Sequence, residues 1–294
     1  MSRTTSGDGP NPDIWLATCA AMADGEEWTG TNHLLPALSR RGVDARWAVW
    51  DDPAVDWGSA LVAVRSTWDY ELRRPQFLDW ARSLPRMLNS AAVFAWNTDK
   101  TYLPQLAGAG VPVVPTVAVT DPDELAAAVA ALPVRAVVKP RVGAGGRGLV
   151  VTDQGRGFDP GQDDLGPGPW VVQPLLESVR HHGEVSVFVI DGQVVSQAQK
   201  VPAAGEIRVH EQYGGTTVAV DLDPQAADLA RRTVEASQEL LGERLDYARV
   251  DQMRLDDGTL VVSELEATEP GLYLEVLPGN AEAFADLVVA RLSG

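Results

Sequence analysis

The sequence predicts a mixed α/β (α+β) protein, in which a small parallel α/β domain precedes two subdomains built from hairpins and helices. Three observations support this fold class. Strands and helices alternate in the first third of the 294 residues, a lysine-ended strand runs into a glycine-rich loop, and two hairpins lead to an acidic strand near the C-terminus. The predicted division is a disordered tail at 1–12, an N-terminal α/β domain at 13–97, a central subdomain at 98–172 and a C-terminal subdomain at 173–294.

The N-terminal domain combines buried strands with amphipathic helices. Apolar runs predict strands at 13–19, 45–50 and 61–64, and helical spacing predicts helices at 28–41 and 74–88. Strands that alternate with helices in this way are typical of a parallel sheet. The tail before them is rich in Ser, Gly and Pro without an apolar core, so no signal peptide is predicted and a cytoplasmic location is the default expectation.

The central subdomain is predicted to hold a hairpin around the glycine loop. Proline and acidic residues at Asp121-Pro122-Asp123-Glu124 are typical of the first turn of a helix. The predicted elements are a helix at 100–109, a strand at 113–119, a helix that Asp121 caps and that continues to Ala131, and a hairpin at 136–152. A Gly/Pro/Asp-rich segment at 153–169 then predicts a loop or linker.

The C-terminal subdomain is predicted to be built from two hairpins and two helices. Asp191-Gly192 and Asp256-Asp257-Gly258 supply the turn residues that hairpins require. The predicted elements are strands at 170–173, 185–190 and 193–200, a helix at 223–241, strands at 247–254 and 259–265, and a helix at 280–292.

The composition excludes several classes of protein. A net charge of −17 argues against nucleic acid as a partner, because no basic field exists to release counterions. No apolar run approaches the length of a membrane span, so no membrane association is expected. Cys19 is the only cysteine, which excludes an internal disulfide and is expected to be a buried structural thiol. The four histidines have no metal-ligand spacing, and a zinc site is not expected.

The glycine-rich loop that follows Lys139 is the first candidate for function. Val137-Val138-Lys139 ends a strand, and four glycines, among them Gly145 and Gly146, follow within nine residues. Glycines let backbone N–H groups approach an anion, and the lysine adds a positive charge where a polyphosphate would lie. No Gly-Lys-Ser/Thr follows, which excludes a Walker loop, and the loop leads into a second strand and not into a helix, which excludes a dinucleotide fingerprint. The alternative is a flexible hairpin loop with a surface lysine.

Acidic residues near the C-terminus are the second candidate. Glu264 and Glu266 lie two apart on a predicted strand and therefore project from the same face, while Asp251 lies on the partner strand. Three such carboxylates repel each other unless a cation lies between them, and hard oxygen ligands suit Mg²⁺. A solvated acidic strand is the alternative. Together with the distant glycine loop, the acidic residues predict Mg-ATP binding.

The order of these motifs resembles the ATP-grasp ligases, from about Arg65 to Tyr273. Among them, the segments 65–70 and 96–100 and the motif Glu264-Leu265-Glu266-x-x-Glu269-Pro270 look most like the cyclo-ligase branch that closes the D-cycloserine ring. The resemblance implies an ATP-grasp fold with a Rossmann-like N-terminal domain and two subdomains that sandwich ATP. The residues that carry it are Lys100, Lys139 with its loop, Trp170 to Glu177, Gly183-Glu184, Arg208, Asp251 and Glu264-x-Glu266.

The resemblance also implies a role for each matching residue. Gly145 and Gly146 would belong to a mobile loop that closes over ATP, and Glu184 would bind the ribose. Many members of the family have Asn where this chain has Glu266, which leaves the number of Mg²⁺ ions open. The remaining implied assignments are phosphate binding by Lys100 and Lys139, adenine binding by Gln173, Pro174, Leu175 and Leu176, a place near the phosphates or the adenine for Lys200, stabilisation of the transferred phosphoryl group by Arg208, and Mg²⁺ binding by Asp251, Glu264 and Glu266.

The substrate side of the site is predicted from basic and aromatic residues at strand ends. Arg65 follows a strand at its C-terminal end, where open α/β sheets bind ligands, and could hold a carboxylate. A structural salt bridge is the alternative. Arg249 shares a strand face with Asp251, so it is a candidate for catalysis and for substrate binding. Thr67, Trp68, Asp69 and Tyr70 are the other candidates for a polar and aromatic wall, although Trp68 could equally pack between domains.

These observations predict a carboxylate–amine ligase. ATP would phosphorylate the carboxylate of a small amino-acid-like substrate, and a nitrogen would then displace phosphate to leave an amide-type bond, ADP and phosphate. An intramolecular cyclo-ligase of antibiotic biosynthesis and an intermolecular amino-acid or dipeptide ligase both fit, since an attacking nitrogen leaves no motif. A nucleotide-binding protein without catalysis is a further alternative. The resemblance also implies a possible homodimer.

Overall fold

A computed structural model describes residues 11–26, 32–152, 165–166 and 168–294. Most of the predicted tail at 1–12, the start of the predicted helix at 28–41 and most of the predicted linker at 153–169 lie outside these ranges. Within them, no helix is both long enough and apolar enough to cross a bilayer.

The N-terminal domain is a three-stranded parallel sheet with helices, as predicted. The strands β1 (Ile14–Thr18), β2 (Ala45–Val49) and β3 (Leu61–Ser66) pair in the order β2-β1-β3. The strand-to-helix alternation that predicted a parallel sheet is therefore confirmed. Its helices are α1 (Leu34–Ser39), α2 (Arg74–Ser83) and α3 (Ala91–Asn97).

Two features of this domain differ from the prediction. Helix α2 ends at Ser83 instead of continuing to residue 88, because Leu84 precedes Pro85 and takes an extended conformation. The residues beyond it run beside β3, where the Leu88 N–H donates to the Val62 carbonyl at 2.8 Å. Helix α3 was not predicted, although Ser90 caps it by accepting a hydrogen bond from the Val93 N–H.

The central subdomain is a four-stranded antiparallel sheet in the order β4-β7-β5-β6. The predicted strand at 113–119 is shorter than expected because Pro115 interrupts its first half. The Val114 N–H instead donates to the Val262 carbonyl at 2.9 Å, which attaches this segment to the C-terminal sheet. The elements are α4 (Tyr102–Gly108), β4 (Val117–Val119), α5 (Pro122–Ala130), β5 (Ala136–Pro140), β6 (Val150–Val151) and β7 (Trp170–Pro174).

The C-terminal subdomain is a five-stranded antiparallel sheet in the order β10-β9-β8-β11-β12. Both predicted hairpins and both predicted helices are confirmed, whereas the edge strand β10 and the short helix α6 were not predicted. Strand β10 is mostly exposed and lacks the alternation that marks a half-buried strand. The elements are α6 (Val179–His182), β8 (Glu184–Ile190), β9 (Gln193–Val201), β10 (Thr216–Val220), α7 (Pro224–Leu241), β11 (Tyr247–Arg254), β12 (Leu260–Glu266) and α8 (Gly279–Ser293).

Shared cores join the N-terminal domain to the C-terminal subdomain. Phe77 and Phe94 pack in one cluster with Leu229 of α7 and Val250 of β11. The central sheet has a small cluster of its own, which includes Val138 of β5. The loop that follows β5 is therefore carried by a unit whose core is separate from that of the rest of the molecule.

Candidate active site

The glycine loop leaves β5 after Lys139 and returns as β6, as the sequence predicts. Gly145, Gly146 and Gly148 have φ values of 62°, 68° and 65°, a region in which other residues are strained. A Cβ atom at Gly148 would lie 2.9 Å from the Gly166 Cα, and one at Gly146 would lie 3.4 Å from the Arg208 Cδ. The glycines thus allow both the turn and the close approach of Arg208.

Residues from the two other parts of the chain hold this loop. Glu71, in the middle of the 3₁₀ turn Tyr70–Leu72 after β3, accepts hydrogen bonds from the Ala144 N–H and from the Arg147 guanidinium. On the other side, the Gly145 carbonyl accepts hydrogen bonds from Gln212 Nε2 at 2.9 Å and from the Tyr213 hydroxyl at 3.2 Å. The loop is therefore closed against both the N-terminal domain and the C-terminal subdomain.

Sequence reasoning missed Glu71, Gln212 and Tyr213. Glu71 comes directly after the candidate segment 65–70, and Tyr213 lies five residues beyond Arg208, so position along the chain was the only available signal. Arg208 itself pairs with Glu206 at 2.6 Å, and its guanidinium lies 3.7 Å from the centre of the Tyr213 ring. The hydrogen bond from Arg208 lowers the pKa of Glu206 to about 2.

The two candidate phosphate lysines differ in their partners. Lys100 Nζ lies 2.8 Å from the Gly143 carbonyl oxygen and 3.1 Å from Glu264 Oε1, and so links the loop to β12. Lys139 has neither a hydrogen bond nor an ion pair within the described residues. Burial lowers the pKa of Lys139, and Lys100 adds a like charge, although Glu264 and Glu184 oppose the shift. Its ammonium thus lies near the charges of Glu264 and Glu184 but pairs directly with no described carboxylate.

The three acidic candidates lie side by side on β11 and β12. Asp251 faces Glu264 across the strand pair, and Arg249 faces Glu266. Arg249 lies 3.0 Å from each Asp251 carboxylate oxygen and also pairs with Glu266. The same-face spacing that predicted a cavity shared by Arg249 and Asp251 therefore produces a direct ion pair between them. Lys200 adds a further contact to Asp251 at 3.2 Å.

Cations determine how these carboxylates ionise. Burial would raise the pKa of Glu264, but Lys100 and Lys139 outweigh it and lower that pKa to about 2. Burial raises the pKa of Glu266 to about 7 even though Arg249 opposes the shift. Within the described ranges, no three His, Cys, Asp or Glu side chains form a group that could hold a metal ion as they stand. Lysine and arginine supply the counter-charge instead.

Glu184 and Lys200 form a buried pair beside this cluster. Lys200 is 2% exposed and contacts the Glu184 carboxylate, which also accepts a hydrogen bond from Ser263 Oγ at 2.9 Å. The first residue of β8 and its partner on β9 thus face each other, in the register that pairs Glu184 with Lys200. Ribose binding by Glu184 stays a prediction.

The predicted adenine segment connects the central sheet to the C-terminal subdomain. Gln173 and Pro174 end β7, where they pair with β5, and Gln173 Nε2 donates to Thr116 Oγ1 at 2.8 Å. The side chains of Leu175 and Leu176 are buried. A nucleotide between the two sheets would lie against this connection. Adenine binding by this segment stays a prediction.

Arg65 forms the structural salt bridge that was the alternative to substrate binding. It is 0% exposed, with its guanidinium 2.8 Å from Glu26 Oε2 and 2.7 Å from the Pro270 carbonyl. It also stacks on the rings of Tyr247 and Phe284. This geometry does not support the expectation that Arg65 holds a substrate carboxylate. The side chain is enclosed, and it fixes the N-terminal domain to the segment after β12.

The other candidates after β3 divide into two groups. Asp69 accepts a hydrogen bond from Trp50 Nε1 at 3.0 Å and pairs with Arg73, so it is occupied within its own domain. Trp68 Nε1 donates to the Glu269 carbonyl at 3.2 Å. Burial raises the pKa of Tyr70, and the charge of Glu269 adds to that rise. Trp68 and Tyr70 thus lie near the acidic residues at the end of β12, and Thr67, between them and β3, is buried.

Asn97 lies in the segment 96–100 that carried the resemblance but was not among the candidate site residues, and it fixes the backbone after β12. Its side-chain amide donates to the Leu265 carbonyl at 2.7 Å and accepts from the Ala267 N–H at 2.8 Å. The Tyr102 hydroxyl accepts from the Leu265 N–H at 2.9 Å. These bonds hold rigid the strand end that carries Glu264 and Glu266.

Comparison with known proteins defines the class to which this fold and site belong. Residues 105–274 match the RimK-like ATP-grasp domain, and residues 14–89 match the N-terminal domain of D-cycloserine synthetase DcsG. The chain therefore belongs to the ATP-grasp ligases and is an ATP-dependent ligase of the kind that forms C–N bonds.

Among individual proteins, the chain is similar to the cycloserine biosynthesis protein DcsG of Streptomyces lavendulae. The two are 33% identical over 278 residues, which cover 88% of this chain and 92% of DcsG. The crystal structure of D-cycloserine synthetase DcsG superposes with a TM-score of 0.81 at 29% identity and covers 95% of this chain and 99% of that one. D-alanyl-alanine synthetase A from Vibrio cholerae shares the fold, with a TM-score of 0.64 at 14% identity over 97% of this chain and 98% of that one.

Proposed function

We propose that this ligase closes a ring within a small amino-acid-like substrate, as a cyclo-ligase of the D-cycloserine type. The observation that carries the proposal is the contribution of the N-terminal domain to the site. Trp68 and Glu71 of that domain contact the acidic strand and the glycine loop, respectively. This is the domain that matches the N-terminal domain of DcsG, and it would shape the substrate side of the cavity.

The proposed reaction is ADP-forming and passes through an acylphosphate. A substrate carboxylate oxygen attacks the γ-phosphorus of ATP, and the bond from that phosphorus to ADP breaks. A nitrogen of the same molecule then attacks the acyl carbon, loses its proton, and displaces phosphate. Transfer of this kind requires positioning and neutralisation of charge more than covalent help from the protein.

The residues of the chain are suited to these tasks. Lys100 and Lys139 lie at the base of the glycine loop and would bind the phosphates, and Arg208, beside Gly146, would stabilise the transferred group. Arg249 would contact the substrate or the transferred phosphoryl group. The loop, closed against Glu71, would exclude water from the acylphosphate.

Mg²⁺ is the cofactor that we propose beside ATP. Asp251, Glu264 and Glu266 offer carboxylate oxygens, the ligand type that Mg²⁺ prefers. In the structure these carboxylates form ion pairs with Lys100, Lys200 and Arg249. The ligand type therefore suits the ion, although the three carboxylates do not form a ready metal-binding group among the described residues. When bound, Mg²⁺ would neutralise the charge that develops on the phosphate oxygens.

The test is ADP release with Mg-ATP across D- and L-amino acids, dipeptides and O-ureido-D-serine, with products identified by mass spectrometry. Turnover of O-ureido-D-serine to a cyclised product supports the proposal. Turnover only with pairs of amino compounds would instead support an intermolecular ligase. ATP binding without turnover of any compound would favour a protein that binds the nucleotide and does not catalyse.

The proposed boundaries between the three parts of the chain lie at 97/98 and 172/173, although β7 of the central sheet continues two residues beyond the second boundary. A cytoplasmic location fits a reaction that uses ATP. Light scattering at several protein concentrations would test the proposed homodimer.

A further inference from the structure

Glu269 is a buried carboxylate that has no direct partner in the described part of the chain. The residue is 8% exposed, and its carboxylate has no hydrogen bond or ion pair with any described residue. Burial raises the pKa of Glu269 well above its ordinary value, and the charge of Glu266 raises it further. A buried ionisable group without a partner is costly, so its presence calls for a functional reason.

The basic groups around Glu269 are bound to other carboxylates. Lys100 pairs with Glu264, and Arg249 pairs with Glu266 and Asp251. Both cations act on Glu269 electrostatically, but neither lies within ion-pair distance of it. The protein thus neutralises each neighbouring acid and leaves this one for a cation from outside the chain.

The position of Glu269 indicates which cation this is. The Trp68 indole donates to the Glu269 backbone carbonyl at 3.2 Å, and the charge of Glu269 acts on the buried Tyr70. Glu269 therefore lies where the N-terminal domain meets the segment that follows the acidic strand, the side on which the substrate is proposed to bind.

We propose that Glu269 binds the ammonium group of the amino-acid substrate and selects α-amino acids over acids that lack the amine, an inference that rests on the proposed function. An ammonium group supplies the missing counter-charge and donates to carboxylate oxygens that the chain leaves free. Asn97 fixes the backbone at 265–268, directly before Glu269, so the segment that carries the carboxylate is ordered before the substrate arrives.

The test compares one substrate with its des-amino analogue. ADP release gives KM for O-ureido-D-serine, and competitive inhibition gives Ki for 3-(ureidooxy)propanoate, in the wild type, Glu269→Gln and Glu239→Gln. Glu239 is an exposed carboxylate on α7 and serves as the matched control. We expect Glu269→Gln to raise KM by about 10- to 100-fold, the effect of losing a charge-assisted hydrogen bond, and to leave Ki within about twofold.

Two further measurements separate recognition from structure. Glu269→Asp keeps the charge and should recover part of the discrimination between the two compounds. The melting temperature of Glu269→Gln should not fall, because a neutral amide costs less to bury than a carboxylate. A melting temperature that falls by several degrees, or KM and Ki that rise together, would overturn the inference in favour of a structural role.

The outcomes also distinguish this inference from the proposed function. If the wild type is active and Glu269→Gln keeps the same preference for the amino compound, the inference about Glu269 is wrong and the proposed function is unaffected. A wild type that binds ATP but releases no ADP with any acid in the panel defeats the proposed function, and the inference with it.

Discussion

Replacing Lys139 with methionine should weaken ATP binding without weakening the fold. Methionine keeps the length of the side chain and removes only the charge, which has no ion pair with any described residue. Burial already lowers the pKa of Lys139, so the folded state bears the cost of the charged form and gains when that charge is removed. One charge-assisted hydrogen bond to a phosphate is worth about 1.5–3 kcal/mol, which corresponds to a loss of roughly 10- to 150-fold in ATP affinity.

Lys200→Met is the matched control, because Lys200 is also a buried lysine. It contacts Glu184 and lies 3.2 Å from Asp251, so its removal leaves the buried Glu184 without its paired cation and takes one of two cations from Asp251. We expect the free energy of unfolding to fall by about 3–5 kcal/mol. Urea unfolding and ATP titration calorimetry on both variants make the comparison. If Lys139→Met destabilises the fold as much as Lys200→Met does, Lys139 is a structural cation and the phosphate assignment is wrong.

Three further predictions concern the acidic strand, the buried salt bridge and the closed loop. Glu264→Gln should raise the Mg²⁺ concentration needed for half-maximal ADP release by about tenfold or more; an unchanged titration would place the ion elsewhere. Arg65→Ala should lower the free energy of unfolding by about 3–5 kcal/mol, because it leaves Glu26 buried without its bidentate partner, and denaturant unfolding would measure the loss; a stable variant with a raised KM would restore the substrate role. Glu71→Gln should speed proteolytic cleavage of the glycine loop in the presence of ATP by weakening its contact with Arg147, and equal cleavage rates in variant and wild type would contradict the closure contact.

Local features of the sequence predicted the parts of the site that depend on spacing within one element. Alternation along β11 and β12 was sufficient to bring Asp251, Glu264 and Glu266 to the same face, and the strand pairing then set Asp251 opposite Glu264. The glycines after Lys139 predicted a hairpin loop, because glycine readily takes the positive φ angles that a tight loop requires, and the structure has such angles at several of them. The hairpins and long helices were predictable because they, too, depend on residue spacing within one short segment.

Contacts between distant segments were not predictable in this way. Arg65 has the sequence context of a ligand-binding arginine, but its partner Glu26 lies 39 residues earlier and its second contact, at Pro270, 205 residues later. Glu71 reaches a loop more than 70 positions further along the chain. A single sequence without its fold gives no measure of such distances. It therefore leaves the structural and the substrate-binding interpretations of Arg65 equally open.

Arg249 explains how the chain accommodates Glu266, where many ATP-grasp ligases have asparagine. An additional carboxylate beside Asp251 and Glu264 would increase the repulsion within the cluster. Arg249 faces Glu266 across the strand pair and bonds to both Glu266 and Asp251, so one guanidinium offsets the extra charge. Glu266→Asn should therefore release Arg249 from one carboxylate and keep an oxygen ligand for Mg²⁺. If this compensation is the function of the pair, the double variant Glu266→Asn with Arg249→Gln should lose less stability than the two single losses combined, and denaturant unfolding of the four proteins would measure the coupling.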